Sequence, residues 1–272
     1  MLNTNKKFSA ILAFVVLGFS SVVLAGPYAP AAGQTGSTAI HKDDASFVAW
    51  ATGSTVVRGL MDISNPSGGN ASYGTDANAI GKAEGTSYDV VSLGDGGWAT
   101  LTFNVVIGND AGYDFAVFEN GFSDTFLELG FVEVSSNGTN FFRFDAVSLT
   151  PTATQIGPWA TLDPTNIHNL AGKYRQGYGT GFDLDELAGT AGLDVSRVTH
   201  VRVVDVVGSI DAAYATYDSA GNEVNDPWAT PFSSSGFDLD AVGVINTPEP
   251  ATLGLCLVGG FSLIMRRRGR RG

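Results

Sequence analysis

Apolar and polar residues alternate along much of the chain. Between residues 98 and 107, Leu101, Phe103, Val105 and Ile107 interleave with Thr102, Asn104 and Val106. That period of two marks a strand with one face on a core. The same pattern predicts strands at 46–51, 55–62, 88–93, 114–119, 131–135, 140–144, 199–208 and 237–245. The stretch 114–144 organises the reading, because three of these strands fall within it. Its first strand ends in Glu119-Asn120-Gly121, a turn carrying a carboxylate, and its last two flank Asn137-Gly138. An Asn-Gly pair between two β-prone runs predicts a hairpin with a type I′ turn.

The strand at 199–208 differs. Val201, Val203, Asp205 and Val207 lie on one face, with Arg202, Val204 and Val206 on the other. A strand apolar on both sides is expected at the centre of a sheet. Residues 148–170 are rich in Thr, Pro and Asn and read as a long surface loop, while 184–188 and 193–197 read as brief helical turns. Short strands, frequent turns and almost no amphipathic helix predict an all-β fold, a single β-sandwich of jelly-roll type over residues 26–246.

The ends of the chain are patterned differently. Lys6-Lys7, an apolar run over 8–19 and Val23-Leu24-Ala25 before Gly26 read as a secretory signal peptide over residues 1–25. At the other end, Thr247-Pro248-Glu249-Pro250 precedes an uncharged run over 251–265, closed by Arg266, Arg267, Arg268, Arg270 and Arg271. Fifteen apolar residues are marginal for spanning a bilayer. The arginines would remain on the cytoplasmic side as a stop-transfer cluster, leaving the body outside.

This tail resembles the PEP-CTERM sorting signal of Gram-negative bacteria, with Pro248, Glu249 and Pro250 in the motif's order and Thr247 where Val is common. The resemblance implies recognition by a membrane protease-transpeptidase, an exosortase. It further implies export across the inner membrane, transient anchoring by the C-terminal helix, and delivery to the cell surface or extracellular matrix. The body resembles secreted proteins that carry such tails, through LGDGGWATLTF (93–103), DFAVFENGF (114–122), FVEVSSNGTNFFRF (131–144), AGKY (171–174), VRVVDVVG (201–208) and GFDLDAVGVIN (236–246). That group implies no established catalytic activity.

Charge narrows the partners. Seven of the 15 basic residues lie in the two end segments, whereas all but one of the 27 acids lie in the body. An acidic body argues against nucleic acid, whose phosphates need Lys and Arg. The single cysteine, Cys256, lies in the apolar tail, so no disulfide supports the body.

The carboxylates are the candidate chemistry. GFDLDEL and GFDLDAV echo each other. In strands, Asp183 with Asp185, and Asp238 with Asp240, would each share one face. Calcium takes six to eight oxygens. Asp218, Asn222 and Asp226 in a polar loop would add ligands to such a site, although their spacing does not match an EF-hand. The alternative is that Asp183 and Asp238 cap turns. Asp205 among valines, and Glu119 at a strand end, need partners if buried. Arg143, Arg175 and Arg202 are the candidates.

Trp159 and Trp228 in loops are candidate glycan contacts, since aromatic faces stack on sugars. The sequence holds no nucleophile elbow, and its three histidines lack metal-ligand spacing. The expectation is therefore a non-enzymatic exported protein, structural or adhesive, acting within extracellular polysaccharide. A calcium-dependent carbohydrate-binding module and a secreted glycan hydrolase using a carboxylate such as Glu119 are the alternatives.

Overall fold

The computed structural model describes residues 25–248. The expected signal peptide up to residue 24, and Glu249, Pro250, the apolar run and the terminal arginines of the expected sorting tail, lie outside the described residues. Pro248 is the last residue described.

Fourteen strands are present among the described residues: β1 (Ile40–His41), β2 (Ala49–Trp50), β3 (Gly53–Val57), β4 (Val91–Ser92), β5 (Trp98–Ile107), β6 (Phe115–Glu119), β7 (Gly130–Ser135), β8 (Phe142–Arg143), β9 (Val147–Ser148), β10 (Ile167–His168), β11 (Leu170–Ala171), β12 (Tyr178–Phe182), β13 (Val198–Asp205) and β14 (Asp238–Val244). One sheet has the order β1-β12-β6-β14-β2, with β4 also paired to β14. The other has the order β11-β7-β13-β5-β3, with β8 paired to β7. β9 and β10 form a separate ribbon. All pairings are antiparallel, and β13 is central in its sheet, between β5 and β7.

The two sheets share one apolar core. Phe115, Val117, Phe182, Leu239, Val242 and Val244 come from the first sheet, and Ala99, Leu101, Val132, Val134, Val201 and Val203 from the second. Phe115 stacks on Phe182 with centroids 5.4 Å apart. Each such large side chain contributes about 1.5–3 kcal/mol on burial. β6 does not alternate because it is covered on both faces: Ala116 and Phe118 pack outward, beneath Phe47 and Trp50.

Several expectations change. The Asn137-Gly138 turn is not type I′, since Gly138 has φ 72° but Asn137 is not among the residues of positive φ. Instead the Asn137 carboxamide accepts the N–H groups of Thr139 and Asn140, and a six-residue loop joins β7 to β8. The expected loop over 148–170 is closed at its base by the β9–β10 ribbon, which pairs Val147–Ser148 with Ile167–His168. β12, unrecognised in sequence because it reads Tyr-Gly-Thr-Gly-Phe, needs its glycines. A Cβ at Gly181 would lie 2.5 Å from the Tyr113 ring, and one at Gly179 would lie 2.8 Å from that of Phe118. The two Phe-Asp-Leu-Asp segments are not equivalent. Asp238 and Asp240 lie on β14, whereas Asp183 caps a short 3-10 turn, Leu184–Leu187, by accepting the Asp185 N–H. Among the described residues no helix is long and apolar enough to cross a membrane.

Candidate functional site

At one end of the first sheet, where β6 ends and β14 begins, lies a cleft of about 580 Å³ lined by Tyr73, Ser87, Tyr88, Asn120, Phe122, Gln176, Ser233, Ser234 and Asp238. Its walls are tied together. Asn120 Nδ2 donates to the Ser87 carbonyl (3.2 Å) and to Asp238 Oδ2 (3.0 Å). Ser87 Oγ donates to Gln176 Oε1 (2.7 Å), the Gln176 N–H donates to the Gly121 carbonyl (2.9 Å), and the Tyr73 hydroxyl donates to the Tyr88 carbonyl (2.9 Å). The Tyr88 ring stands 81% exposed at the rim. The lining is a set of neutral donors and acceptors with one carboxyl, Asp238.

An aromatic ribbon runs outward from the cleft. Phe122 lies parallel to Phe126, with centroids 5.0 Å apart and planes 4° apart. Phe126 stacks on Trp159 at 5.9 Å, and Trp159 meets Phe232 at 5.8 Å. Offset stacks of this kind are favourable, and the stagger leaves part of each ring uncovered. Phe122 is 54% exposed, Trp159 67% and Phe232 42%. These rings come from distant parts of the chain, the 120–129 loop and the segments around Trp159 and Phe232.

Beneath the cleft is a buried group of carboxyls. Asp238 accepts hydrogen bonds from Ser92 Oγ and Asn120 Nδ2, yet burial pushes its carboxyl up to about 7. Glu119 lies behind it. Its Oε2 accepts the Gly121 N–H at 2.6 Å, while Oε1 has no partner. Burial, and then the charge of Asp238, hold Glu119 well above the carboxylate range. Glu128 is raised by burial and by Asp238, Glu119, Asp226 and Asp205. Asp226 Oδ2 accepts the Leu129 N–H (2.9 Å), its Oδ1 has no partner, and burial raises it.

Asp205 accepts two backbone N–H groups, from Gly96 (2.9 Å) and Phe237 (2.7 Å). Burial, and then the charge of Asp95, push it up. Asp95, raised by burial to about 6, takes the Ile63 N–H and the Trp228 indole N–H. The cation whose charge bears on Asp238 is Arg58, and its guanidinium donates to the carbonyls of Tyr73, Ser92 and Gly74.

Comparison with protein-family models, with curated proteins and with solved structures finds no match.

The candidate metal ligands do not converge as one set. Asp185 accepts from Asn109 Nδ2, and Asp240 accepts the N–H groups of Glu84 and Gly85. Asp218 organises its loop by accepting from Ser148, Ala220 and Asn222, and Asn222 serves that turn through its N–H and carboxamide. Asp183 caps its turn. Only Asp226 and Asp238 join the buried group. Among the described residues no three His, Cys, Asp or Glu side chains are arranged to hold a metal ion.

The arginines expected to pair with Asp205 or Glu119 are committed elsewhere. Arg143 and Arg202 face Glu133, and Arg175 pairs with Asp124. Of the two tryptophans, Trp159 belongs to the ribbon. Trp228 is half-buried, bonded to Asp95 and packed near Tyr214, so it is not an open contact. Glu128, Tyr73, Phe122 and Phe126 were not candidate site residues in sequence, because each joins the site only through loop packing; Tyr88, expected to begin a strand over 88–93, lies outside β4 (Val91–Ser92).

Proposed function

We propose that this is an exported surface or extracellular-matrix protein with an adhesive role, whose body holds neutral polysaccharide in the cleft and along the aromatic ribbon. The observation that carries the reading is the run Phe122–Phe126–Trp159–Phe232, exposed beside a polar cleft of a size that suits a few sugar rings. Apolar ring faces match the C–H faces of sugars, and Ser, Asn, Gln and Tyr match their hydroxyls. The acidic body disfavours anionic polymers. The signal peptide and the PEP-CTERM-type tail would deliver the body, with an exosortase-type protease as processing partner.

We also read the body as a jelly-roll. Taken in chain order, β2, β5, β6, β7, β11, β12, β13 and β14 stand in the sheet orders first-eighth-third-sixth and second-seventh-fourth-fifth, the order of a rolled four-over-four hairpin. A hydrolase would need a second carboxyl across the cleft from Asp238. Asp238 is the carboxyl among the lining residues, which favours adhesion over turnover.

The test is binding of the full-length protein to neutral polysaccharides (β-glucan, xylan and mannan) by affinity electrophoresis. Retardation by at least one of them, reduced about tenfold in Trp159→Ala with unchanged melting temperature, supports the reading. Absence of retardation by all three, or retention undiminished in Trp159→Ala, overturns it.

A further inference from the structure

The two ends of the loop that carries the ribbon are rooted in the buried carboxyls. Glu119 immediately precedes Asn120, Gly121 and Phe122. Glu128 follows Phe126 and Leu127, and Leu129 is held through its N–H by Asp226. Between these roots the loop is held by the Asp124–Arg175 ion pair, by the Gln176 N–H on the Gly121 carbonyl, and by the Leu162 N–H on the Thr125 carbonyl (2.7 Å). A loop built this way responds at both hinges to the charge of one cluster.

In that cluster acids outnumber cations: among the described residues Arg58 is the cation whose charge bears on it, through Asp238. Glu119 and Glu128 face Asp238 from β14, Asp226 from the segment before it and, for Glu128, Asp205 from β13; Asp95 adjoins Asp205, and Asp62 adjoins Asp95. Arg58 is anchored on three carbonyls with its charge intact, and Arg175 pairs with Asp124. Lys173 points elsewhere, donating to the Ile167 carbonyl at 2.7 Å. Glu119 is 1% and Asp226 3% exposed, and each keeps one oxygen without a partner. Buried carboxyls with an unpartnered oxygen favour the protonated form, and nearby like charges make ionising several of them together costlier still.

We propose that the 120–129 loop is a proton-dependent wall of the cleft, held in place while the carboxyls beneath it keep their protons and loosened when they lose them. This rests on the adhesive reading for its purpose but not for its test. Loss of protons places like charges at Glu119 and Glu128, the two hinges, and weakens the seat of Phe122 and Phe126 against Trp159. The wall is therefore set in mildly acidic surroundings and released in alkaline ones.

The test is hydrogen exchange of the full-length protein without glycan, read by mass spectrometry near pH 5 and near pH 8.5 after correction for the intrinsic rate. Amides of 120–129 are expected to lose protection about tenfold at the higher pH, well beyond any change in β5 and β13. In Glu119→Gln/Glu128→Gln the difference shrinks below about twofold. Asp226→Asn is the substitute if that variant does not fold. Equal loop protection at both pH values, loss spread evenly over all strands, or recovery near pH 8.5 on adding millimolar calcium chloride would overturn the proposal, the last in favour of a cation. No polysaccharide enters the measurement, so its failure is separate from failure of the adhesive reading.

Discussion

Replacing Asp238 with asparagine should change the sign of its effect on stability with pH. In the folded protein burial raises this carboxyl from 3.8 to about 7. A group whose folded pKa lies above its unfolded value opposes folding once ionised. Its stabilising protonation is complete below about pH 4 and lost as pH rises towards 7. Roughly three units at about 1.4 kcal/mol each make the full cost about 4 kcal/mol above pH 7. Asparagine removes that cost but offers one acceptor where the carboxyl offers two, to Ser92 Oγ and Asn120 Nδ2. One donor then lacks a partner, at about 1–3 kcal/mol. Near pH 8 Asp238→Asn should be more stable than wild type by about 1–3 kcal/mol, and near pH 4.5 no more stable or less stable by up to about 2 kcal/mol, with a crossover between about pH 4.5 and 6. Urea unfolding followed by tryptophan fluorescence at both pH values measures this. An equal destabilisation at both, or a wild-type midpoint that rises from pH 5 to 8, would refute the reasoning.

Two further outcomes are expected. Gly172→Ala should destabilise by more than about 2 kcal/mol in urea unfolding: Gly172 has φ 78°, and an added Cβ would lie 1.8 Å from the Glu128 carbonyl oxygen, a backbone atom that cannot swing aside. Replacing Pro248, Glu249 and Pro250 together by alanine should leave the exported precursor at its unprocessed mass in a host with an exosortase, which intact-mass measurement of the membrane fraction would detect. Normal processing would remove the sorting reading.

The apolar pattern along the chain, alternating in β5 and spread over both faces in β6 and β13, determined the class of fold and most of the long strands. β5, β6, β7, β13 and β14 fall where the apolar pattern puts them, because a strand's period is a local property. Central placement of β13 was legible for the same reason: valines on both faces leave no side for water. The isolation of Asp205 among valines also announced a buried acid. Its solution, two backbone N–H groups and a raised pKa, was not legible, since Gly96 and Phe237 reach it only when β13 and β14 are packed.

Tertiary structure decided the site. The Asp183 and Asp238 segments share a sequence echo, yet one caps a 3-10 turn and the other runs along β14 beneath the cleft, because context and not composition sets whether a carboxyl meets water or a core. Glu128 between two leucines carries no signal in sequence, and only the fold buries it where the charges of Glu119 and Asp226 bear on it. The ribbon is likewise invisible along the chain. Trp159 was a candidate contact in sequence, but Phe126 and Phe232 are unremarkable loop aromatics until the loops between the strands bring the three rings together. Local periodicity can specify which residues face a core; it cannot specify which distant loops will meet, because that depends on the crossing of strands between the two sheets.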